Sequence, residues 1–112
     1  MARDELLRLR ANAEAEAATL ARDLEALFAA SRDSNADDEH DPEGATIGFE
    51  RAQLTALLSA ARARITEVDD ALRRVAEATY GICERCGRPI AEERLAARPF
   101  ARCCVACAEK TG

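Results

Sequence analysis

The chain has 112 residues, 16 Lys+Arg against 21 Asp+Glu for a formal net charge of -5, 4% aromatic residues, no Trp and 5 Cys. That length leaves no room for a large enzyme core, and the acidic balance argues against a protein built to coat nucleic-acid phosphates or anionic lipid. Nearly half the residues are apolar, but 26 of them are Ala and a third of the chain is charged. This is the composition of long exposed helices rather than of a deep substrate pocket.

Residues 2 to about 31 contain neither Gly nor Pro and place Leu6, Ala13, Ala17, Leu20, Leu24 and Leu27 on one stripe, with Arg10 interrupting it. The segment from Ser31 to Thr46 gathers Ser, Asn, Asp, Pro and Gly and reads as a break between helices, with Asp41-Pro42 as the restart. From Ile47 to about Thr79, Leu54, Leu58, Ala61, Ile65, Val68, Leu72 and Val75 follow alternating steps of four and three, a heptad seam. Two helices with narrow stripes and a short polar connection fold most simply into an antiparallel coiled-coil hairpin, each arm roughly 45 Å long at 1.5 Å per residue. Half of a larger bundle, or a dimer through the same seams, is the alternative. Gly81 is the expected helix stop.

The remaining residues cannot build a core from Ile82, Ile90, Leu95, Phe100 and Val105 alone and need a staple. Cys83-x2-Cys86 and Cys104-x2-Cys107, 17 residues apart, have the spacing of a four-thiolate zinc site. Four Cys ligands leave no open coordination position, so one zinc ion per chain is structural and not a Lewis acid. Gly87 offers the sharp turn after the first pair. Cys103 is the odd thiol: a spare side chain, a substitute ligand or a redox sensor. No run approaches the roughly 18 apolar residues that span a bilayer, and no signal peptide is visible, so the expectation is cytoplasmic.

Tyr80-Gly81-Ile82-Cys83-Glu84-Arg85-Cys86-Gly87, then Pro89-Ile90, Arg94-Leu95-x-Ala97-x-Pro99 and Cys104-Val105-x-Cys107, resemble the C4-type zinc finger of the DksA/TraR family. The resemblance covers about residues 79 to 109, and the hairpin ahead of it is similar in pattern. It implies a mainly α protein, a coiled-coil hairpin over 1–79 with a tip loop at about 32–46, and a zinc finger over 80–112. It further implies a non-enzymatic transcription regulator, a monomer, that binds bacterial RNA polymerase without reading DNA sequence. Its coiled coil would enter the polymerase secondary channel, with ppGpp as a possible co-effector. The family's tip motif Asp-x-x-Asp-x-Ala is met by Asp38 and Asp41, with Glu43 replacing the Ala. The acidic excess does concentrate there: residues 37–50 carry six acidic and no basic side chains. Alternatives from other classes are Gre-like stimulation of transcript cleavage and a nucleic-acid-binding zinc ribbon using Arg85, Arg88, Arg94, Arg98, Arg102 and Lys110.

Overall fold

The computed structural model describes residues 2–34 and 42–111, with the side chains of 31–34, 42–45 and 111 outside the description. Helix α1 runs over Ala2–Ser34 and α2 over Pro42–Ala76, followed by two short helices, α3 (Glu92–Ala97) and α4 (Val105–Thr111). The sole β pairing among the described residues is an isolated antiparallel bridge between Ile82 and Pro89. The fold is mainly helical, as the periodicity predicts.

Helix α1 reaches into the segment expected to be a break, and α2 begins at Pro42, the expected restart. Ser, Asp and Arg cost a helix only tenths of a kcal/mol each, so α1 continues through Ser34. Pro42 stands at the first helical position, where its missing N–H loses nothing and its fixed φ suits the helix.

The far end of α2 also differs from expectation. The helix stops at Ala76, not near Thr79, and the residue that turns the chain is Ala78 at φ 62°. The Ala78 N–H donates to Val75 O (3.1 Å) and the Thr79 N–H to Arg74 O (2.8 Å). This pair of bonds is a Schellman cap with an alanine where glycine usually sits. Gly81, the expected stop, does take a positive φ of 80°, but three residues later, inside the turn that leads to the first cysteine.

The contacts group the chain into two units, one made of Met1–Arg10 and Thr66–Gly112, the other of Ala11–Ile65. In the second unit the helices pair antiparallel: Phe28 lies against Arg51, whose guanidinium stands 5.8 Å from the ring centre, and Glu16 bonds Arg64 at 2.9 Å. Ala13, Leu58 and Ala61 are buried here, and Ala17, Leu20, Leu24, Leu27, Leu54 and Ile65 are half-buried.

In the first unit Leu6 packs with Val68 and Ala71, and Leu9, Leu72, Val75, Tyr80 and Phe100 close over them. Arg10, which interrupts the apolar stripe of α1, is directed to Asp69 of α2 by an ion pair at 2.5 Å. A second cluster of Cys83, Ile90 and Cys107, with Leu95, Cys103 and Cys104 around it, has sulfur where a larger domain would have hydrocarbon. The five apolar residues of this region divide as follows. Phe100 joins the helical cluster, Ile90 and Leu95 lie on the sulfurs, and Ile82 and Val105 stay exposed. Burial without a staple is therefore as thin as the composition suggests.

Candidate metal centre

Each cysteine pair lies in a tight backbone knuckle. After Cys83 the chain makes a turn through residues 84–86, and Gly87 at φ 75° returns its N–H to Cys83 O at 2.9 Å. The Cys83 N–H donates to Arg88 O (2.8 Å) and the Ile90 N–H to Gly81 O (2.7 Å), which fix the two sides of the loop. Cys104 immediately precedes α4, and Cys107 sits in its first turn.

The four sulfurs of Cys83, Cys86, Cys104 and Cys107 lie within 4.8 Å of one another. Cys86 Sγ and Cys104 Sγ are 3.8 Å apart. A tetrahedron with Zn–S bonds of about 2.3 Å has edges of about 3.8 Å, so the donor set fits one zinc ion in chemistry and in size. Backbone N–H groups of Cys104 and then Cys86 hydrogen-bond Cys83 Sγ and pull that thiol down to about 5. The Cys107 N–H does the same for Cys104, whose thiol also titrates below its ordinary value. Hydrogen bonds with the sulfurs of Cys104 and then Cys83 push the Cys107 thiol up to about 12. A divalent cation takes the place of the thiol protons, since thiolates are the ligands.

Cys103 packs against this cluster without being one of the four mutually close sulfurs. Burial, followed by the charge of Cys83, raises its thiol above the ordinary range. Asp38 and Asp41 of the expected tip lie outside the described residues, and Glu43 is the second residue of α2.

A group of polar residues beside the sulfurs was not singled out by the sequence. Asp70 in α2 accepts from Arg102 at 2.6 Å, from Arg74 Nε at 3.2 Å and from Arg73. Arg74 is 4% exposed, the one buried charged residue among those described, and its other nitrogens reach Ala101 O (3.4 Å) and Phe100 O (3.5 Å). The Tyr80 hydroxyl donates to Pro99 O at 3.0 Å, with Arg74 over its ring at 6.0 Å. Arg94 of α3 donates to Cys103 O at 2.8 Å. An acid and an arginine four residues apart on a helix look like an ordinary surface pair in sequence. The adjacency of Arg74 to the seam residue Val75 was the single available hint that it turns inward.

A closed four-thiolate site stapling a chain segment to the end of paired helices defines a structural zinc-finger protein. Residues 78–111 match the family described as the prokaryotic dksA/traR C4-type zinc finger. The solved structure of transcription factor DksA2 from Pseudomonas aeruginosa aligns with a TM-score of 0.72 at 30% identity, over 98% of this chain and 79% of that one. The chain belongs to the DksA/TraR family. Among curated relatives it is 47% identical over 49 residues to the RNA polymerase-binding transcription factor DksA of Caulobacter vibrioides, covering 44% of this chain and 34% of that protein. It is 36% identical over 69 residues to general stress protein 16O of Bacillus subtilis, covering 62% of this chain and 42% of that protein. The chain thus spans about a third to two fifths of the length of these curated relatives.

Proposed function

We propose that this protein is a transcription regulator that binds bacterial RNA polymerase and is not itself an enzyme. The observation that carries the reading is the alignment with DksA2 over nearly the whole chain, helices and cysteine region together. In this reading residues 1–79 form the arm and 80–112 the zinc-stapled base, with Cys83, Cys86, Cys104 and Cys107 as the zinc ligands. The connection between α1 and α2 enters the secondary channel, where Asp38 and Asp41, with Glu43, bring carboxylates toward a basic lining or the catalytic Mg²⁺. Polymerase remains the catalyst, and the protein acts in the cytoplasm as a monomer.

A partner rather than a substrate is supported by charge: residues 37–50 carry six acidic side chains and no Lys or Arg, which suits a basic partner surface. Among the described residues no helix is long and apolar enough to cross a membrane. The test is a pull-down of core polymerase with the wild type and with Asp38→Asn/Asp41→Asn, followed by open-complex lifetime with and without ppGpp. The expected result is equal binding and lost regulation in the double variant. Unchanged regulation would sink the role of the tip, and absence of polymerase binding by the wild type would sink the whole reading.

A further inference from the structure

The segment 100–103, which delivers the chain to Cys104, packs Phe100 on the helices and Cys103 on the sulfur cluster, and it is also held by polar contacts from three sides. From α2, Arg74 reaches Phe100 O and Ala101 O, and Asp70 binds the Arg102 side chain at 2.6 Å. From the first knuckle, the Glu84 N–H, one residue after Cys83, donates to Arg102 O at 2.9 Å. From α3, Arg94 holds Cys103 O at 2.8 Å. Arg102 is therefore the point at which the two knuckles and α2 meet: its backbone is bonded beside Cys83, its side chain to Asp70, and Cys104 lies two residues on.

We propose that Asp70 is a positioning residue for the metal site, fixing through Arg102 where the second cysteine pair stands relative to the first and hence how tightly zinc is held. A tetrahedral site tolerates only about 0.2 Å of error in each Zn–S distance, so a loosened knuckle costs affinity without any change of ligand. The Arg102 side chain is half exposed, and Asp70 is its one partner among the described residues. Asp70 is 16% exposed and faces two further guanidiniums, Arg73 and Arg74. With its charge removed, Arg102 has no anchor on α2, and Arg74 faces a neutral group inside the protein. Outer-shell partners of metal ligands are typically worth 10- to 100-fold in affinity. Asp70 acts one step further out, so about tenfold is expected. The argument depends on the zinc site alone and holds whether or not polymerase is the partner.

The test uses the full chain. Apparent zinc affinity is read at neutral pH by competition with a chromophoric chelator, and the ligand set by the absorption of the Co²⁺-substituted protein. Asp70→Asn and Arg102→Ala are each expected to weaken zinc retention about tenfold. The double variant should be no worse than either alone, and Asp70→Glu should recover most of the loss. The cobalt band should keep its four-thiolate, tetrahedral shape in every variant. Asp69→Asn is the control: it breaks the neighbouring ion pair of α2 to Arg10, so it lowers thermal stability while leaving zinc affinity within about twofold. If Asp70→Asn fails to fold, Arg102→Lys, which keeps the charge but loses the planar fork, is expected to weaken zinc severalfold. Wild-type affinity in the Asp70 and Arg102 variants, additive losses in the double variant, or an equal loss in Asp69→Asn would each overturn the proposal.

Discussion

Asp70 and Arg102 are 32 residues apart and meet at 2.6 Å, joining the last turns of α2 to the approach of the second cysteine pair. Hydrogen bonding from Arg73, and then the charges of Arg102, Arg73 and Arg74, hold the Asp70 carboxyl below its ordinary 3.8 despite opposing burial. A carboxylate whose folded pKa is depressed contributes stability that is complete above the unfolded value and is lost as pH falls through the lower folded one. With both proteins kept saturated with zinc at each pH, the stability gap between wild type and Asp70→Asn in denaturant unfolding should therefore stay flat from pH 7.5 to about 5, and the part due to the Asp70 charge should be lost only below about 4. A gap that shrinks between pH 7 and 5 would contradict this.

Ala78 carries the left-handed turn that ends α2, a conformation that costs a residue with a β-carbon about 1 kcal/mol relative to glycine. Ala78→Gly should raise stability by up to that amount, and Tm by about 4 °C. Gly87→Ala is the converse. A β-carbon there meets nothing within 4 Å, so the loss of about 1 kcal/mol comes from the backbone alone. Thermal unfolding of the two variants, with zinc in excess, should give shifts of opposite sign.

Leu6 and Leu7 are neighbours with opposite fates, 1% and 40% exposed. Leu6→Ala removes a side chain packed on Val68 and Ala71 and should cost about 3 kcal/mol, whereas Leu7→Ala should stay within about 0.5 kcal/mol. Urea unfolding distinguishes the two, and equal costs would count against the burial of Leu6 between the helices in solution.

Native mass spectrometry should find one zinc in the wild type and in Cys103→Ser, and none retained under mild chelation in Cys86→Ser. A four-thiolate site depends on every member of its set, and Cys103 is outside that set. Chelation should also release the amides of residues 80–111 to hydrogen exchange, because Ile90 and Leu95 have little apolar support beyond the sulfurs.

The helices and the metal site were legible for the same reason: each rests on a repeating spacing. All thirteen stripe and seam positions from Leu6 to Val75 are buried or half-buried, because a heptad pattern leaves one face to cover. The four cysteines meet because two knuckles at that separation have one economical closure. What resisted reading depends on single tertiary contacts. Gly81 is a better left-handed residue than Ala78, yet the helix stops where Arg74 O accepts from both Thr79 and Tyr80 N–H groups, and the penalty falls on an alanine. Phe100 sits among finger residues in sequence but packs on Leu6, Val68 and Ala71. The inward turn of Arg74 depends on carbonyls more than 25 residues away, which no local pattern encodes.

The unit that bears the cysteines is discontinuous, since its first ten residues precede the other 47 by a stretch of 55. Leu6 reaches its buried neighbours only after that stretch has been traversed. A fragment beginning at Thr66 would retain every cysteine but lose Leu6 and Leu9 from the cover of Val68 and Ala71, leaving Leu72, Val75, Tyr80 and Phe100 to close it, so it should be less stable than the same residues in the full chain. The opening turns of α1 thus belong, by their contacts, to the unit that carries the cysteines.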